Sequence, residues 1–239
     1  MRKTLQPFFN QYETLVEMTD STFSRVKKEH SDCVTCKIEC ADCCHALFDL
    51  TLIEALYLNH HFNRIFSGPE KDTLLEIANR ADRSVYQIKR RALQALERGA
   101  AEADVLTQVA EERIRCPLLD EKNRCGLYAF RPITCRLYGI PTSIQGTGHT
   151  CGKSGFVKGS AYPTVNLDVI HRKLFDISAA LVKALGSRHI KMADMLLPVS
   201  MALLTVFDED YLGLSPIETP ETDGNSRKKG GNNDPAQSG

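Results

Sequence analysis

The sequence predicts a mainly α-helical, irregular domain. Three observations lead there. Apolar residues recur at intervals of three and four over several long segments, a stretch from Cys116 to about Pro163 lacks that period and is rich in Gly and Pro, and the nine cysteines fall into two groups. A chain of 239 residues can bury a substantial core. Its formal charge of zero and pI near 7.0 give no bulk electrostatic reason to expect nucleic acid or an anionic membrane as a partner. Met1-Arg2-Lys3 leads into polar residues instead of an apolar leader, and the longest apolar run, Met195 to Phe207, is broken by Pro198 and falls short of the roughly 20 residues of a spanning helix. The expectation is a cytoplasmic protein with one domain over residues 1–214.

Taken in order, residues Phe8 to Lys28 place Tyr12, Leu15, Val16, Thr19, Phe23 and Val26 on one helical face, with Glu13, Glu17 and Asp20 mostly opposite. The first cysteine group follows as C-x2-C-x3-C-x2-C-C: Cys33, Cys36, Cys40, Cys43 and Cys44. Thr51 and Glu54 read as a capping box, so a helix is predicted from there to about His61. Gly68-Pro69 starts the next helix, whose face carries Leu74, Ala78, Ala81, Val85, Ile88, Ala92 and Leu96, and Gly99 stops it. Lys89-Arg90-Arg91 on that helix reads as a solvated face. A shorter helix is predicted from Asp104 to Ile114.

The second cysteine group, Cys116, Cys125, Cys135 and Cys151, is spread through the aperiodic stretch. Cys116-Pro-Leu-Leu and Cys125-Gly-Leu-Tyr could pair as a small β-hairpin across Asp120-Glu-Lys-Asn123. The rest is too long for an ordinary loop and needs an organiser other than a hydrophobic core. Leu167, Ile170, Leu174, Ile177, Leu181 and Leu185 then mark a helix over Asn166 to Leu185, and a further apolar helix is predicted over about Lys191 to Val206, kinked or divided at Pro198. From Ser215 the chain has almost no apolar content and a disordered tail, 215–239, is expected.

Thiolates at these spacings are soft ligands suited to zinc or iron–sulfur clusters, and ligation supplies the organiser that the aperiodic stretch lacks. The expected metal ligands are Cys33, Cys36, Cys40, Cys43, Cys44, Cys116, Cys125, Cys135 and Cys151, the two groups being halves of one assembly. A disulfide framework is disfavoured: nine is odd, neighbours Cys43 and Cys44 bridge poorly, and the expected compartment is reducing. A redox-active pair across Cys33 and Cys36 is a lesser alternative. The side chains of Cys43 and Cys44 are expected to diverge, so that one binds metal while the other serves a second metal, bridges or stays free. His45 and His149 flank cysteines and could replace a sulfur, although unliganded histidines are commoner. Lys37, Arg115, Arg124, Arg131 and Arg136 are candidates to offset thiolate charge. The second group is too widely spaced for a zinc ribbon, which tilts the expectation toward an iron–sulfur cluster, of the 4Fe–4S kind, over zinc. No Ser-His-Asp or paired-carboxylate constellation is legible.

Several stretches together carry a resemblance: Cys40-Ala-Asp-Cys43-Cys44 preceded by Cys36, Thr51-x-x-Glu54, Cys116-Pro-Leu-Leu-Asp, Cys125-Gly-Leu-Tyr and Arg131-Pro132-Ile-Thr-Cys135-Arg136-Leu-Tyr138. From about Cys33 to Cys151 the chain resembles the YkgJ-type cysteine-cluster family, described as a zinc- or iron-chelating domain. Cys36, Cys40, Cys43, Cys44, Cys116, Cys125 and Cys135 match its cysteines, and Cys151 supplies a further one. The gap of three between Cys36 and Cys40 departs from the family's two, and Cys33 is extra, so either Cys33 or Cys36 is the first ligand. The resemblance implies metal binding more than any reaction; the role expected for the bound metal is structural or electron-transferring, the latter calling for a protein redox partner. Some similar proteins are flagellin lysine methylases that carry an iron–sulfur cluster and use S-adenosylmethionine. That gives the alternative of a methyltransferase acting on protein lysine, although this chain is short for one and no residues match that cofactor.

Overall fold

The structure, a computed structural model, describes residues 2–37 and 39–214; the tail expected over 215–239 lies outside the described residues. Helix α1 spans Arg2–Glu29 and accommodates Pro7 near its start. After a 3₁₀ turn at Asp42–His45 come strand β1 (Asp49–Thr51) and helix α2 (Leu52–Ile65). Helix α3 (Gly68–Glu97) and helix α4 (Glu102–Glu111) follow, then a 3₁₀ turn at Tyr128–Phe130 and the short helix α5 (Ile133–Leu137). Strands β2 (Thr142–Ile144), β3 (Thr147–His149) and β4 (Val165–Asn166) lead to α6 (Leu167–Ala184), a 3₁₀ turn (Ile190–Asp194), β5 (Leu196–Pro198) and α7 (Val199–Leu204). The mainly helical, irregular class expected from the sequence is the class observed.

Helix α2 lies at the centre. Leu52, Ile53, Ala55, Leu56, Tyr57, Leu58 and Phe62 are all buried, so it is apolar around most of its circumference and meets α1, α6 and α7 on different sides. Its polar residues are tied off by neighbours. The Asn59 side-chain amide donates to the carbonyls of Ala202 and Thr205 at the end of α7, and the Ile53 N–H donates to Ser178 Oγ on α6. The predicted stop at Gly99 holds, as its N–H and that of Ala100 cap the last turn of α3. Within its Lys89-Arg90-Arg91 run, Lys89 pairs with Asp49 and Arg91 with Glu112.

Two expectations need correction. The helix expected over Lys191 to Val206 is replaced by a 3₁₀ turn, a strand and a short helix. Pro198 has no N–H and pushes Leu197 toward extended backbone, so β5 pairs antiparallel with β1 and α7 begins only after the proline. The aperiodic stretch is also not held without a core: Leu118, Leu119, Leu127, Ile133, Leu137 and Ile140 are buried in it. The expected hairpin is present as a single antiparallel bridge between Leu119 and Cys125, closed by Asp120 Oδ1 accepting from the N–H groups of Lys122 and Arg124. A second hairpin, β2–β3, was not anticipated; its two-residue turn, Gln145-Gly146, has both residues at positive φ. Among the described residues no helix is long and apolar enough to cross a membrane.

Candidate metal centre

The two cysteine groups are brought together by backbone pairing. The Cys116 N–H donates to the Cys44 carbonyl at 2.7 Å and the Ile114 N–H to the His45 carbonyl at 3.0 Å, with Ala46 and Arg113 forming an antiparallel bridge. The Leu119–Cys125 bridge then turns Cys125 back toward the same place. Cys135 arrives on α5, whose first N–H, that of Ile133, donates to Glu54 Oε1 at 3.2 Å. Glu54 Oε2 meanwhile accepts from the Thr51 N–H and hydroxyl. The predicted capping box is therefore real, and its buried carboxylate also caps the helix that carries Cys135, a role that no local motif announces. Burial pushes the pKa of Glu54 up, against the lowering effect of these hydrogen bonds.

Five sulfurs, those of Cys43, Cys44, Cys116, Cys125 and Cys135, border a cavity of about 60 Å³ whose other walls include Leu47, Phe48, Leu58, Val85, Ile114 and Leu127. A second cavity of about 240 Å³ is bordered by Cys36, Cys40, Cys43, Cys135 and Cys151 and is far more polar, with Asp42, Lys27, Lys37, Arg136, Tyr128 and Tyr138 in its wall. A third, of about 360 Å³, reaches Cys40, Cys43, Cys44, Cys125 and Cys135. Cys43, Cys135 and Arg131 line all three. Cys33 lines none of them; its carbonyl accepts from the Gly155 N–H, and its neighbour Thr35 donates to the Lys153 carbonyl, so that stretch docks the Cys151 loop by its backbone. Of the two candidates for first ligand, Cys36 lines the second cavity with Cys40, Cys43, Cys135 and Cys151. Cys36 also depends on Gly139, where a Cβ would overlap the Cys36 sulfur.

Cys43 and Cys44 share the first and third cavities, and Cys43 alone of the two also lines the second. The neighbouring Cys44 thiol and Arg131 draw the Cys43 thiol down to about 7, and Cys43 together with burial pushes the Cys44 thiol up. Elsewhere burial dominates and neighbouring sulfurs add to it. Cys36 is pushed up to about 11 and Cys116 to about 12, and Cys125, Cys135 and Cys151 are raised as well.

Of the expected cations, Arg131 lines all three cavities; it lies over the Tyr128 ring at 3.9 Å, and its buried Nε has no hydrogen-bond partner. Lys37 lines the second and third cavities. Arg115 donates to the Leu119 and Asp120 carbonyls and Arg124 pairs with Asp120, so both brace the hairpin while Arg115 also borders the first cavity and Arg124 the third. Arg136 lines the second cavity but spends its donors on Asp20 (2.6 Å) and on the carbonyls of Arg131 and Ala129, locking α1 to α5. His45 Nδ1 is engaged with the Ala41 carbonyl, and His149 lies exposed on β3, beside a separate cleft that also touches Cys151.

Residues that spacing did not single out complete the picture. Asp42 lies within the cysteine run; its Oδ2 accepts from the Cys151 thiol at 3.5 Å, and its Oδ1 is held by Arg113 at 2.9 Å and by Lys153 at 3.7 Å. Burial would raise its pKa, but Arg113, the hydrogen bonds from Cys151 and Tyr138, and Lys153 together keep it below the usual aspartate value. The placement of Asp42 between two cysteines was the available signal; nothing in the sequence marked Arg113.

Among the described residues, no group of three or more Cys, His, Asp or Glu side chains is arranged to hold a metal ion as the side chains stand. The donor set nevertheless suits one: sulfurs from both groups crowd two adjoining cavities, and their mutual repulsion is what a cation between them would relieve. Compared with known proteins, the chain matches one family model, CxxCxxCC, a putative zinc- or iron-chelating domain, over residues 32–152. No curated protein and no solved structure matches it.

Proposed function

Because the chain belongs to the CxxCxxCC family of metal-chelating domains, we propose that its converging cysteines hold an iron–sulfur cluster, of the 4Fe–4S kind, in a structural or electron-carrying role. The observation that carries the reading is the small apolar cavity bordered by Cys43, Cys44, Cys116, Cys125 and Cys135. Four thiolates satisfy such a cluster without an oxygen ligand, and five are present there. Bound in that place, the cluster would supply one-electron chemistry or a cross-link between the two halves of the domain.

The remaining work belongs to the chain. Leu47, Phe48, Leu58, Val85 and Leu127 keep water from the sulfurs. Arg131 offsets thiolate charge, helping to lower the pKa of Cys43 and working against the burial that raises Cys125 and Cys135. The lowered pKa of Cys43, about 7 beside Cys44 and Arg131, makes it the thiol that most readily gives up its proton to a metal. Glu54 fixes the start of α5 and with it the position of Cys135.

Anaerobic purification followed by iron, acid-labile sulfide and zinc analysis tests the proposal. A coloured protein holding iron and sulfide, both lost in Cys116→Ser, is the expected result. A colourless protein that holds zinc alone at these sulfurs would replace the cluster with a structural zinc site.

A further inference from the structure

The third cavity, of about 360 Å³, is the largest of the three and shares Cys43, Cys44, Cys125 and Cys135 with the first, so the two have a sulfur-lined wall in common. Lys37, Glu39, Asn123, Arg124 and Tyr128 border it together with Arg131. Arg124 is engaged by Asp120, which leaves Lys37 and Arg131 as cations with no ion pair among the described residues. Among those residues the Arg131 Nε is also the only buried side-chain nitrogen or oxygen that lacks a hydrogen-bond partner. A donor in that state costs free energy until an acceptor reaches it. We infer that this cavity is a binding site for a small, singly charged organic carboxylate, whose oxygens meet the Arg131 guanidinium and Lys37; that it lies beside a cluster, and not beside another metal, rests on the reading above.

The chain holds Arg131 in place before any ligand arrives. Its carbonyl accepts from Arg136 Nε at 2.9 Å, Pro132 follows it, and its guanidinium lies over the Tyr128 ring at 3.9 Å. The 3₁₀ turn that precedes it is pinned by Phe130, which stacks on His61 with ring centroids 3.6 Å apart. A guanidinium covered on one face by a ring still offers its N–H groups in plane, the geometry that a carboxylate meets with two parallel hydrogen bonds. Little side-chain freedom remains to be lost on binding. Charge sets the class of ligand. Two unpaired cations against Glu39, the only acid in the wall among the described residues, leave one net positive charge, and the sulfurs add negative charge when they ionise. A monoanion is accommodated there and a phosphate dianion is repelled. The Tyr128 ring and the sulfurs supply an apolar surface for the body behind the carboxylate.

Benzoate serves as the probe and benzamide as its neutral counterpart, each titrated by calorimetry into the anaerobically purified full chain, with iron and zinc measured on the same samples. Benzoate should bind with a Kd of about 1 mM or below, and benzamide should not bind in that range. Arg131→Gln and Arg131→Lys should each weaken benzoate about tenfold, since lysine keeps the charge without the fork, and Lys37→Gln about fivefold. Lys122→Gln removes an exposed charge outside the cavity and should change binding by less than about twofold. The inference is overturned if benzoate does not bind, if benzamide binds as well, if inorganic phosphate binds more tightly than benzoate, or if Lys122→Gln weakens binding as much as Lys37→Gln does. Comparing benzoate with benzamide on the wild-type chain needs no variant to fold. A protein that holds zinc and no iron yet still binds benzoate would sink the cluster proposal and leave this site standing; an iron–sulfur protein indifferent to benzoate would do the opposite.

Discussion

Glu54 offers the sharpest test of how the fold builds the site. Its carboxylate is 5% exposed and accepts three hydrogen bonds, from the Thr51 N–H, the Thr51 hydroxyl and the Ile133 N–H. Glu54→Ala leaves all three buried donors without a partner, at about 1–3 kcal/mol each, while relief from burying a carboxylate returns several kcal/mol, so a net loss of about 3 kcal/mol is expected. For a domain of this size that corresponds to a fall in melting temperature of roughly 6–12 °C. Glu54→Gln keeps the shape and one acceptor and should lose about 1–2 kcal/mol. Because Ile133 opens the helix that carries Cys135, both variants should also retain less metal.

The pH dependence has a definite sign. Burial raises the folded-state pKa of Glu54 above its unfolded value, so its contribution to stability is full below the ordinary glutamate range and is lost as pH rises through the raised folded value. The stability gap between wild type and Glu54→Gln should therefore narrow as pH rises through that window. Chemical denaturation across pH, with metal content measured on the same samples, reads both effects. Unchanged stability and unchanged metal content in Glu54→Ala would refute the reasoning.

Arg136, 6% exposed, spends its donors on Asp20 and two carbonyls; since Asp20 is half exposed, Arg136→Ala should cost about 2–3 kcal/mol by denaturant titration, below the cost of opening a fully buried pair. Cys135→Ser should lose metal yet leave residues 116–140 folded, because Leu118, Leu127 and Leu137 anchor them, whereas Cys33→Ser should keep full metal content; hydrogen exchange and metal analysis report the two outcomes. His61, stacked on Phe130, has its pKa lowered from 6.5 to about 4, mainly by burial. Its contribution to stability is present above pH 6.5 and lost as pH falls toward 4. His61→Leu should make acid destabilisation over that range less steep, as read by pH titration of the circular dichroism signal.

What could be read from the sequence was whatever depends on near neighbours in the chain. The Thr51–Glu54 box, the stop at Gly99 and the amphipathic faces of α1, α3 and α6 are written within a turn or two of each element, and each stands close to where the pattern put it. The pairing of β5 with β1 is different. Leu196 and Leu197 are apolar enough for a helix, and only the distant edge at Asp49–Thr51, together with Pro198, makes them a strand.

The candidate site divides in the same way. Soft-ligand chemistry and clustering picked out the sulfurs, and adjacency of the two groups followed from needing one organiser. Their division between cavities, the second duty of Glu54 and the grip of Arg113 on Asp42 are contacts between residues far apart in sequence. Local spacing carries no trace of them.

Diffraction from anaerobically grown crystals, with data collected on both sides of the iron absorption edge, would locate iron among the cysteines directly. The account predicts an anomalous peak within coordination distance of sulfurs from both groups, Cys43 or Cys44 on one side and Cys116, Cys125 or Cys135 on the other. Iron bound by one group alone, or no iron beside any of these sulfurs, would contradict it.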